Sequence, residues 1–346
     1  MRILIGMSGG IDSTYAAFKL IEEGHEVEGA VIAMHEYTEV DEAKDAADSL
    51  GIPLHIIDAR DAFNRCVIPN FMSEYTRGRT PNPCIICNSE VKFRILADYA
   101  AEHGFDRIAT GHYAKIVEKS TAAGTRYAIC RAEDTAKDQT YMLWRLPQDI
   151  LSRLLLPLGN SRKEELREEA SAMGMSAAER PDSQEICFIP DGDYAAYIEE
   201  RMGPSLPGDF VDDEGRVLGR HKGIIHYTVG QRKGLGIALG ERVFVTVIDP
   251  EANRITLSKD AKNGNKILIS GTVFSGIPEP TVGESRELLV KIRYQSRPVP
   301  CTLTYLGEGR AVIQTAEPVR SVTAGQSAVL YEGDVLALGG FIDGTE

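Results

Sequence analysis

The chain of 346 residues carries 38 lysines and arginines against 51 aspartates and glutamates, which gives a formal charge of −13. With 43% apolar and 26% charged residues, the composition predicts a globular protein of two or three domains and excludes disordered, collagen-like and coiled-coil chains. No stretch reaches the roughly 18 uninterrupted apolar residues of a membrane helix, and the first strand runs into a glycine turn rather than a signal peptide. We therefore expect a cytoplasmic protein.

The first third of the chain alternates strands with helices, which is typical of a parallel sheet. The pattern predicts strands over residues 2–7, 27–34, 53–58 and 106–110, and helices over 14–23, 41–50 and 89–103. A further apolar run at residues 127–131 is predicted to be the fifth strand. The order predicts an α/β fold with a doubly wound parallel sheet.

The composition of the remaining chain changes near residue 203. Before that point, Ser161 and Glu164 fit a capping box, so a helix is predicted from there to Met173. Beyond it, glycines and prolines separate short β-rich runs such as residues 243–248, 254–257, 288–294 and 328–330. We predict three domains, over residues 1–202, 203–262 and 263–346, the last two small and β-rich and the last barrel-like.

A glycine-rich turn lies between the first strand and the first helix. Its sequence is Gly6-Met7-Ser8-Gly9-Gly10-Ile11-Asp12-Ser13. Glycines let the backbone approach an anion closely, and the free N–H groups of a helix start hold it, so the turn predicts a phosphate site. The spacing fits neither the dinucleotide nor the Walker pattern and instead resembles the PP-loop of ATP pyrophosphatases. That resemblance implies that Ser8 and Ser13 bind phosphate oxygens and that Asp12 helps to place Mg²⁺.

Six cysteines are too few for a disulfide scaffold in a chain of this size. They are better interpreted as metal ligands, catalytic thiols or small buried side chains. Cys84 and Cys87 follow two prolines just ahead of a predicted helix start, where the helix dipole would lower the pKa of the Cys87 thiol. Cys187 lies a hundred residues further on. Metal, redox and iron–sulfur roles all remain open for a single pair of this spacing, although a four-ligand zinc site lacks ligands. We interpret Cys66, Cys130 and Cys301 as packing residues.

Together these motifs resemble the tRNA-specific 2-thiouridylases, the MnmA/TrmU family. The matching runs are residues 6–13, 78–83, 87–88, 92–93, 110–114, 137–141, 182–183, 186–189, 227–236 and 290–294. They occur in order over nearly the whole chain. The resemblance implies ATP-dependent transfer of sulfur to the wobble uridine of the tRNAs for Lys, Glu and Gln. Adenine would be held by Met34 and Gly111, each at the carboxyl end of a predicted strand.

The resemblance also implies roles for two thiols. Cys187 would accept a persulfide from a sulfur-relay protein or a cysteine desulfurase and present the outer sulfur to the adenylated base. Cys87 would then release the sulfur and leave a Cys87–Cys187 disulfide for a reductant to open.

Contacts with the tRNA anticodon arm are implied for ten residues, carried over from the matching runs. They are Asn82, Pro83 and Cys84 at the target base, then His112, Lys137, Asp138 and Gln139, and in the last domain Arg293, Tyr294 and Gln326. The acidic composition predicts that tRNA binds a localised basic surface and that affinity falls with added salt.

One position departs from the family pattern, since many members carry Asp where this chain has Cys84. Three thiols, Cys84, Cys87 and Cys187, would suffice to hold a 4Fe–4S cluster that carries sulfide on its fourth iron. We favour the persulfide route because both of its thiols have roles under it. A PP-loop amide ligase and an RNA-binding module with a degenerate nucleotide site are the competing functions.

Overall fold

The computed structural model describes residues 1–121, 124–179, 186–261 and 263–345. Residues 182–183, one of the runs that carry the family resemblance, lie outside the described residues. Within the described part, no helix has the length and apolar character needed to cross a membrane.

The amino-terminal part contains a five-stranded parallel sheet. Its strands are β1 Arg2–Gly6, β2 Glu26–Ala33, β3 Leu54–Asp58, β4 Arg107–Thr110 and β7 Leu154–Leu155, in the spatial order β3-β2-β1-β4-β7. All neighbouring pairs are parallel. The central strand β1 is buried at Ile3, Leu4 and Ile5 because helices cover both faces of the sheet, whereas the edge strand β3 is partly exposed. The α/β doubly wound prediction is confirmed.

The helices that surround the sheet divide between its two faces. They are α1 Ile11–Glu22, α2 Val40–Leu50, α3 Arg60–Thr76, α4 Pro83–Ile86, α5 Phe93–Glu102, α6 Thr140–Leu143, α7 Gln148–Leu151, α8 Lys163–Ala172 and α9 Tyr194–Met202. Apolar residues of α1, α2 and α8 share one core, and those of α3 and α5 share the other. A π-helical turn at Cys87–Lys92 joins α4 to α5, and 3₁₀ turns occupy Ser176–Glu179 and Ile224–His226.

The run at residues 127–131 does not form the fifth parallel strand, so that prediction was wrong. It belongs to β6 Gly124–Cys130, which pairs antiparallel with β5 Lys115–Thr121. Only two residues separate these strands in sequence, and a connection that short permits a hairpin but no parallel crossover. The fifth parallel strand is β7 instead.

The prediction that Ser161 caps a helix was also wrong. The helix α8 begins at Lys163, Arg162 precedes it, and no side chain of the described residues caps it. Ser161 Oγ instead accepts a hydrogen bond from Lys19 Nζ on α1 (3.2 Å). The helix itself is present over most of the predicted range.

The β-rich remainder forms two sheets, as its glycine and proline content predicts. A four-stranded sheet contains β8 Gly208–Val211, β9 Val217–His221, β10 Phe244–Asp249 and β11 Arg254–Ser258. The other sheet contains β12 Asn263–Phe274, β13 Ser285–Lys291, β14 Val299–Gly307, β15 Arg310–Arg320, β16 Ser327–Glu332 and β17 Val335–Thr345. Because β12 pairs with both β15 and β17, these six strands close into a barrel. The domain boundaries after residues 202 and 262 stay predictions.

The barrel packs firmly on the amino-terminal part. Trp144 is fully buried, and its Nε1 donates a hydrogen bond to Ser327 Oγ in β16 (3.0 Å). Gly339 of β17 lies so close that a Cβ there would be 2.4 Å from Trp144 Cδ2. The hairpin β5–β6 also extends the barrel sheet, through the pairing of Cys130 with Val335. The two regions therefore share apolar core as well as surface.

Candidate active site

The glycine-rich turn follows β1 directly and leads into α1 at Ile11, three residues earlier than predicted. Gly9 adopts a positive φ of 74°, which few residues other than glycine tolerate. The Ser13 hydroxyl accepts a hydrogen bond from Ser8 N (3.1 Å) and donates to Gly10 O (3.0 Å). The turn is thus ordered around Ser8 and Ser13, and the first N–H groups of α1 face its concave side.

A second strand end passes close to this helix start. Gly111 follows β4, and a Cβ at that position would lie 2.6 Å from the Asp12 carbonyl carbon and 2.7 Å from Ser13 N. Only glycine fits such a close backbone approach. Glycines at positions 9 and 111 therefore let α2 and the end of β4 pack closely against the turn. We call this turn the phosphate cradle, because a glycine turn at a helix start suits an anion.

Asp12 lies at the centre of a polar network that spans the chain. Its Oδ1 accepts hydrogen bonds from Lys163 Nζ (2.6 Å) and from the Tyr113 hydroxyl (2.9 Å). The Lys163 side chain is only 7% exposed and the Asp12 side chain 35%. A carboxylate that keeps part of its surface exposed beside a phosphate cradle suits Mg²⁺, which prefers oxygen ligands.

Sequence reasoning missed both Lys163 and Tyr113. Lys163 is 151 residues from Asp12 and carries only the local signal of a helix start. Tyr113 lies in a run that matches the family, but its contact with Asp12 depends on the β1–β4 pairing.

Met34 links the nucleotide edge to a thiol. It follows β2, and the Thr38 hydroxyl accepts a hydrogen bond from its backbone N–H (3.2 Å). Its Sδ accepts from the Cys87 thiol at 3.3 Å. Met34 and Gly111 therefore lie at the carboxyl edge of the sheet on either side of β1, where doubly wound folds bind ligands.

Three cysteines come together beside this edge. Cys84 lies in α4, Cys87 begins the π-helical turn, and Cys187 follows the gap at residues 180–185. Cys84 and Cys187 both lie close enough to Cys87 to contribute to the rise of its pKa. Cys84 and Cys187 are exposed, whereas Cys87 is buried at 6% exposure, and all three thiols are free.

The prediction of a lowered Cys87 pKa was wrong in sign. Burial raises the pKa of Cys87 to about 12, and the neighbouring Lys92 opposes that rise. Cys84 and Cys187 keep exposed surface, but the protein packed around them removes enough water from the thiols to raise the pKa of each. The helical run begins at Pro83, so Cys87 lies inside it and not before its amino end, and desolvation is the largest effect on its pKa.

Lys92 is a charged neighbour of all three thiols. Its positive charge lowers the pKa of Cys84, Cys87 and Cys187, although burial outweighs it in each. The π-helical turn ends at Lys92, and such turns are frequent at functional sites. A lysine in a helix carries no signal of this kind in sequence.

The three thiols do not surround a single metal ion in the part of the chain that the structure describes. In the described part of the chain, no group of three or more His, Cys, Asp or Glu side chains is placed to hold a metal ion.

The residues predicted to contact tRNA fall into two groups. Asn82 caps α4 by accepting from Cys84 N (3.2 Å), and Pro83 is buried beside it. The ring Nδ1 of His112 forms a hydrogen bond with Thr110 Oγ1 (2.8 Å). Burial lowers the pKa of His112 to about 3, and the positive charge of Lys92 lowers it as well. These three border the thiols and the cradle.

The second group lies towards the barrel. Asp138 is buried and accepts from the Thr140 hydroxyl (3.0 Å), with Lys137 and Gln139 half-buried on either side. Arg293 is exposed and donates to Ser321 O (2.9 Å), Tyr294 is half-buried, and Gln326 Nε2 donates to Thr80 O (2.8 Å).

The fold and the cradle together define a nucleotide-binding domain of the HUP class. Residues 1–191 match the family model described as the tRNA methyl transferase HUP domain. Residues 195–259 match the tRNA methyl transferase PRC-barrel domain, and residues 265–342 match the Aminomethyltransferase beta-barrel domain.

Curated relatives narrow this class. The chain is 42% identical over 362 residues to the tRNA-specific 2-thiouridylase MnmA of Carboxydothermus hydrogenoformans, covering 99% of this chain and 97% of that protein. It is 43% identical over 357 residues to tRNA-specific 2-thiouridylase MnmA 1 of Clostridium botulinum (strain Loch Maree), covering 99% of both chains. This chain belongs to the family of tRNA-specific 2-thiouridylases.

A solved structure is similar over a smaller part. The crystal structure of a 4-thiouridine synthetase–RNA complex with bound ATP covers 57% of this chain and 50% of its own, at 19% identity and a TM-score of 0.37. A likeness at this level adds nothing to the family assignment.

Proposed function

We propose that this protein is an ATP-dependent tRNA 2-thiouridylase that replaces the C2 oxygen of the wobble uridine by sulfur in the tRNAs for Lys, Glu and Gln. The observation that carries the proposal is the convergence of the phosphate cradle and the thiols at one sheet edge. Met34 joins them, with its Sδ 3.3 Å from Cys87 Sγ. A base whose oxygen is activated at the cradle would lie within reach of a sulfur held by the thiols.

ATP use follows from the chemistry of the base. A pyrimidine carbonyl oxygen is a poor leaving group. When the C2 oxygen attacks the α-phosphorus of ATP, pyrophosphate leaves and the oxygen becomes part of an AMP ester. Ser8, Ser13 and the first N–H groups of α1 would hold the phosphates, and Asp12 would help to place Mg²⁺ on them.

Sulfur transfer then needs two thiols. The outer sulfur of a Cys187 persulfide attacks C2, and AMP departs with the original oxygen. The Cys87 thiolate attacks Cys187 Sγ, so that the sulfur–sulfur bond breaks, the thiocarbonyl forms and a Cys87–Cys187 disulfide remains. A dithiol reductant restores both thiols. The exposure of Cys187 supports loading by an external donor, and the burial of Cys87 supports a late, protected step.

The partners follow from these steps. The tRNA anticodon arm would contact the residues assigned above at the target base and on the barrel. A sulfur-relay protein or a cysteine desulfurase would supply the persulfide. Free thiols suit the reducing cytoplasm, where we place the reaction.

The test is a Cys187→Ser variant assayed with tRNA, ATP and a persulfide donor. We expect pyrophosphate release to continue for one turnover while 2-thiouridine, measured by nucleoside mass spectrometry, falls by about a thousandfold or more. Cys66→Ser, which changes a half-buried thiol on α3, serves as the matched control and should retain activity. Full ATP-dependent activity in Cys187→Ser would remove the claim that Cys187 carries the sulfur.

Iron and sulfide analysis of the protein purified without oxygen decides between the two sulfur routes. The persulfide route predicts substoichiometric iron. A brown protein with about four irons per chain would replace it by the cluster route.

A further inference from the structure

Residues 78–80, here called the junction segment, lie where the three parts of the chain meet. They connect the end of α3 to the proline-flanked residues that lead into the thiol-bearing α4. Gly78 has a positive φ of 69°, and a Cβ there would be 2.7 Å from Ile248 Cγ2 in β10 of the middle sheet. The segment is therefore pressed against the middle sheet at its first residue.

Arg79 ties the junction segment to the barrel. Its Nε pairs with Glu74 Oε2 on α3 (2.7 Å). The other end of the same guanidinium donates to Ile342 O (3.2 Å) and to Asp343 Oδ1 (3.3 Å), both in β17. One half-buried side chain thus joins α3 to the barrel wall.

Thr80 is held through both of its backbone polar groups. Its N–H donates to Ala324 O (2.9 Å), and its carbonyl accepts from Gln326 Nε2 (2.8 Å). Its hydroxyl donates to Thr228 Oγ1 next to the middle sheet (3.3 Å). Between the two barrel contacts lies Gly325, with a φ of 88°, where a Cβ would be 2.9 Å from Thr80 N.

The same barrel loop, residues 321–326, is bound by an arginine that faces outwards. Arg293 NH2 donates to Ser321 O (2.9 Å) and to Thr323 Oγ1 (2.8 Å). Arg293 is exposed and is one of the residues assigned to RNA under the proposed function. A hydrogen-bonded path therefore runs from an RNA-facing cation through loop 321–326 to Thr80.

Thr80 is coupled tightly to the thiols. Only Pro81 and Asn82 separate it from Pro83, and prolines fix the φ angles of this short connection. A cavity of about 110 Å³, lined by Glu74, Arg79, Asn82 and Gly325 among others, lies between the segment and the barrel. The cavity gives the loop space to shift, and a shift of Thr80 must move the start of α4 with it.

On the basis of the proposed function, we propose that loop 321–326 positions the thiol-bearing start of α4 in response to RNA bound at the barrel. Gln326 acts in this as a positioning residue through Thr80, and not only as an RNA contact. Binding of a phosphate or base at Arg293 competes for the donors that hold Ser321 and Thr323. The loop then resets Thr80, Asn82 and Cys84 around the target base.

The test uses the full chain without tRNA and three variants. Gln326→Met keeps the side-chain length and removes the donor to Thr80. Gly325→Ala places a methyl against Thr80 N. Gly333→Ala is the matched control, because Gly333 also has a positive φ (61°) but no described atom lies within 4 Å of the point that its Cβ would occupy.

Hydrogen exchange of the Thr80 amide is the first readout, with alkylation of the exposed Cys84 as the second. We expect exchange about tenfold faster, and a changed alkylation rate, in Gln326→Met and Gly325→Ala but not in Gly333→Ala. Unchanged exchange and alkylation in Gln326→Met would overturn the proposal, and this variant decides alone if Gly325→Ala does not fold.

Steady-state thiolation separates positioning from RNA contact. Positioning predicts a lower kcat for Gln326→Met with an unchanged KM for tRNA, whereas a higher KM with an unchanged kcat would overturn the proposal. If the wild-type protein makes no 2-thiouridine, the proposed function fails, while the exchange and alkylation results for the tRNA-free chain stand on their own.

Discussion

The phosphate cradle and the thiol cluster lie at the same edge of one sheet but are built in opposite ways. The turn of the cradle comes from eight consecutive residues and a helix start, and the hydrogen bonds that shape it are local: Ser8, Gly10 and Ser13 bond to one another. The thiols come from segments a hundred residues apart, and the start of α4 is held by contacts with the barrel and the middle sheet.

The two regions also differ in their chemical readiness. The cradle is closely packed, and glycines at positions 9 and 111 allow that packing. The thiols are protonated at neutral pH, because burial raises the pKa of each of them. The turn is therefore ordered by its own hydrogen bonds, whereas sulfur transfer, under the proposed function, requires a thiolate that burial of Cys87 disfavours.

Among the variants that compare the two regions, Asp12→Asn has the largest expected effect, and it tests whether the cradle acts before the thiols. The variant keeps the shape but loses the charge that pairs with Lys163 and suits Mg²⁺. We expect pyrophosphate release and thiolation to fall together by about a hundredfold or more. Asp41→Asn, at the exposed start of α2, is the control. If pyrophosphate release persisted in Asp12→Asn, the assignment of the cradle would be wrong.

Gly111→Ala tests whether the close backbone contact between the end of β4 and the start of α1 is needed for the cradle. The added methyl would lie 2.6 Å from the Asp12 carbonyl carbon, where backbone atoms cannot easily yield. We expect a loss of about 1–3 kcal/mol in the free energy of unfolding and a raised KM for ATP. Gly344→Ala, where no described atom lies within 4 Å, should change neither value. Thermal melting and ATP titration measure the two effects, and a normal KM for ATP would argue against a nucleotide there.

Lys92→Met sharpens the description of the thiols. Removing the ammonium group takes away a charge that stabilises each thiolate, so the thiol pKa values rise further. We expect alkylation of Cys84 and Cys187 at about pH 8 to slow about threefold or more, as mass spectrometry of labelled peptides would show. Lys44→Met on the exposed face of α2 is the control. Faster alkylation in Lys92→Met would contradict the electrostatic role.

His112 lies between the two regions and gives the smallest expected effect. Burial holds its pKa at about 3 in the folded chain, below the ordinary 6.5, so the unfolded chain binds a proton that the folded chain does not between these values. Stability from this residue is complete above pH 6.5 and is lost as the pH falls towards 3. We expect the wild-type protein to lose about 1–2 kcal/mol more than His112→Gln between about pH 7 and pH 5 in urea unfolding. Equal losses would show that the ring takes up its proton without cost.

The glycine-rich turn and the thiol segments also differ in how much of each could be predicted from the sequence. The cradle was predictable because its glycines and hydroxyls are neighbours in sequence and their spacing has a meaning of its own. The thiol segment was found from Cys84, Cys87 and the prolines, but the sign of the Cys87 pKa was not, since burial by distant elements decides it.

Two further errors have the same origin. A short apolar run such as residues 127–131 has the same pattern in a parallel sheet and in a hairpin, and only the pairing of β6 with β5 and β17 distinguishes them. Lys163 looked like a helix-start residue because nothing near it in sequence reveals Asp12.

The packing of Trp144 against Gly339 and Ser327 has a practical consequence. It is the one tryptophan of the sequence, and it is sealed between the catalytic part and the barrel. Its fluorescence therefore reports the docking of the two regions without any added label. A red shift in emission on truncation, denaturation or tRNA binding would be an optical signal that this seam has opened.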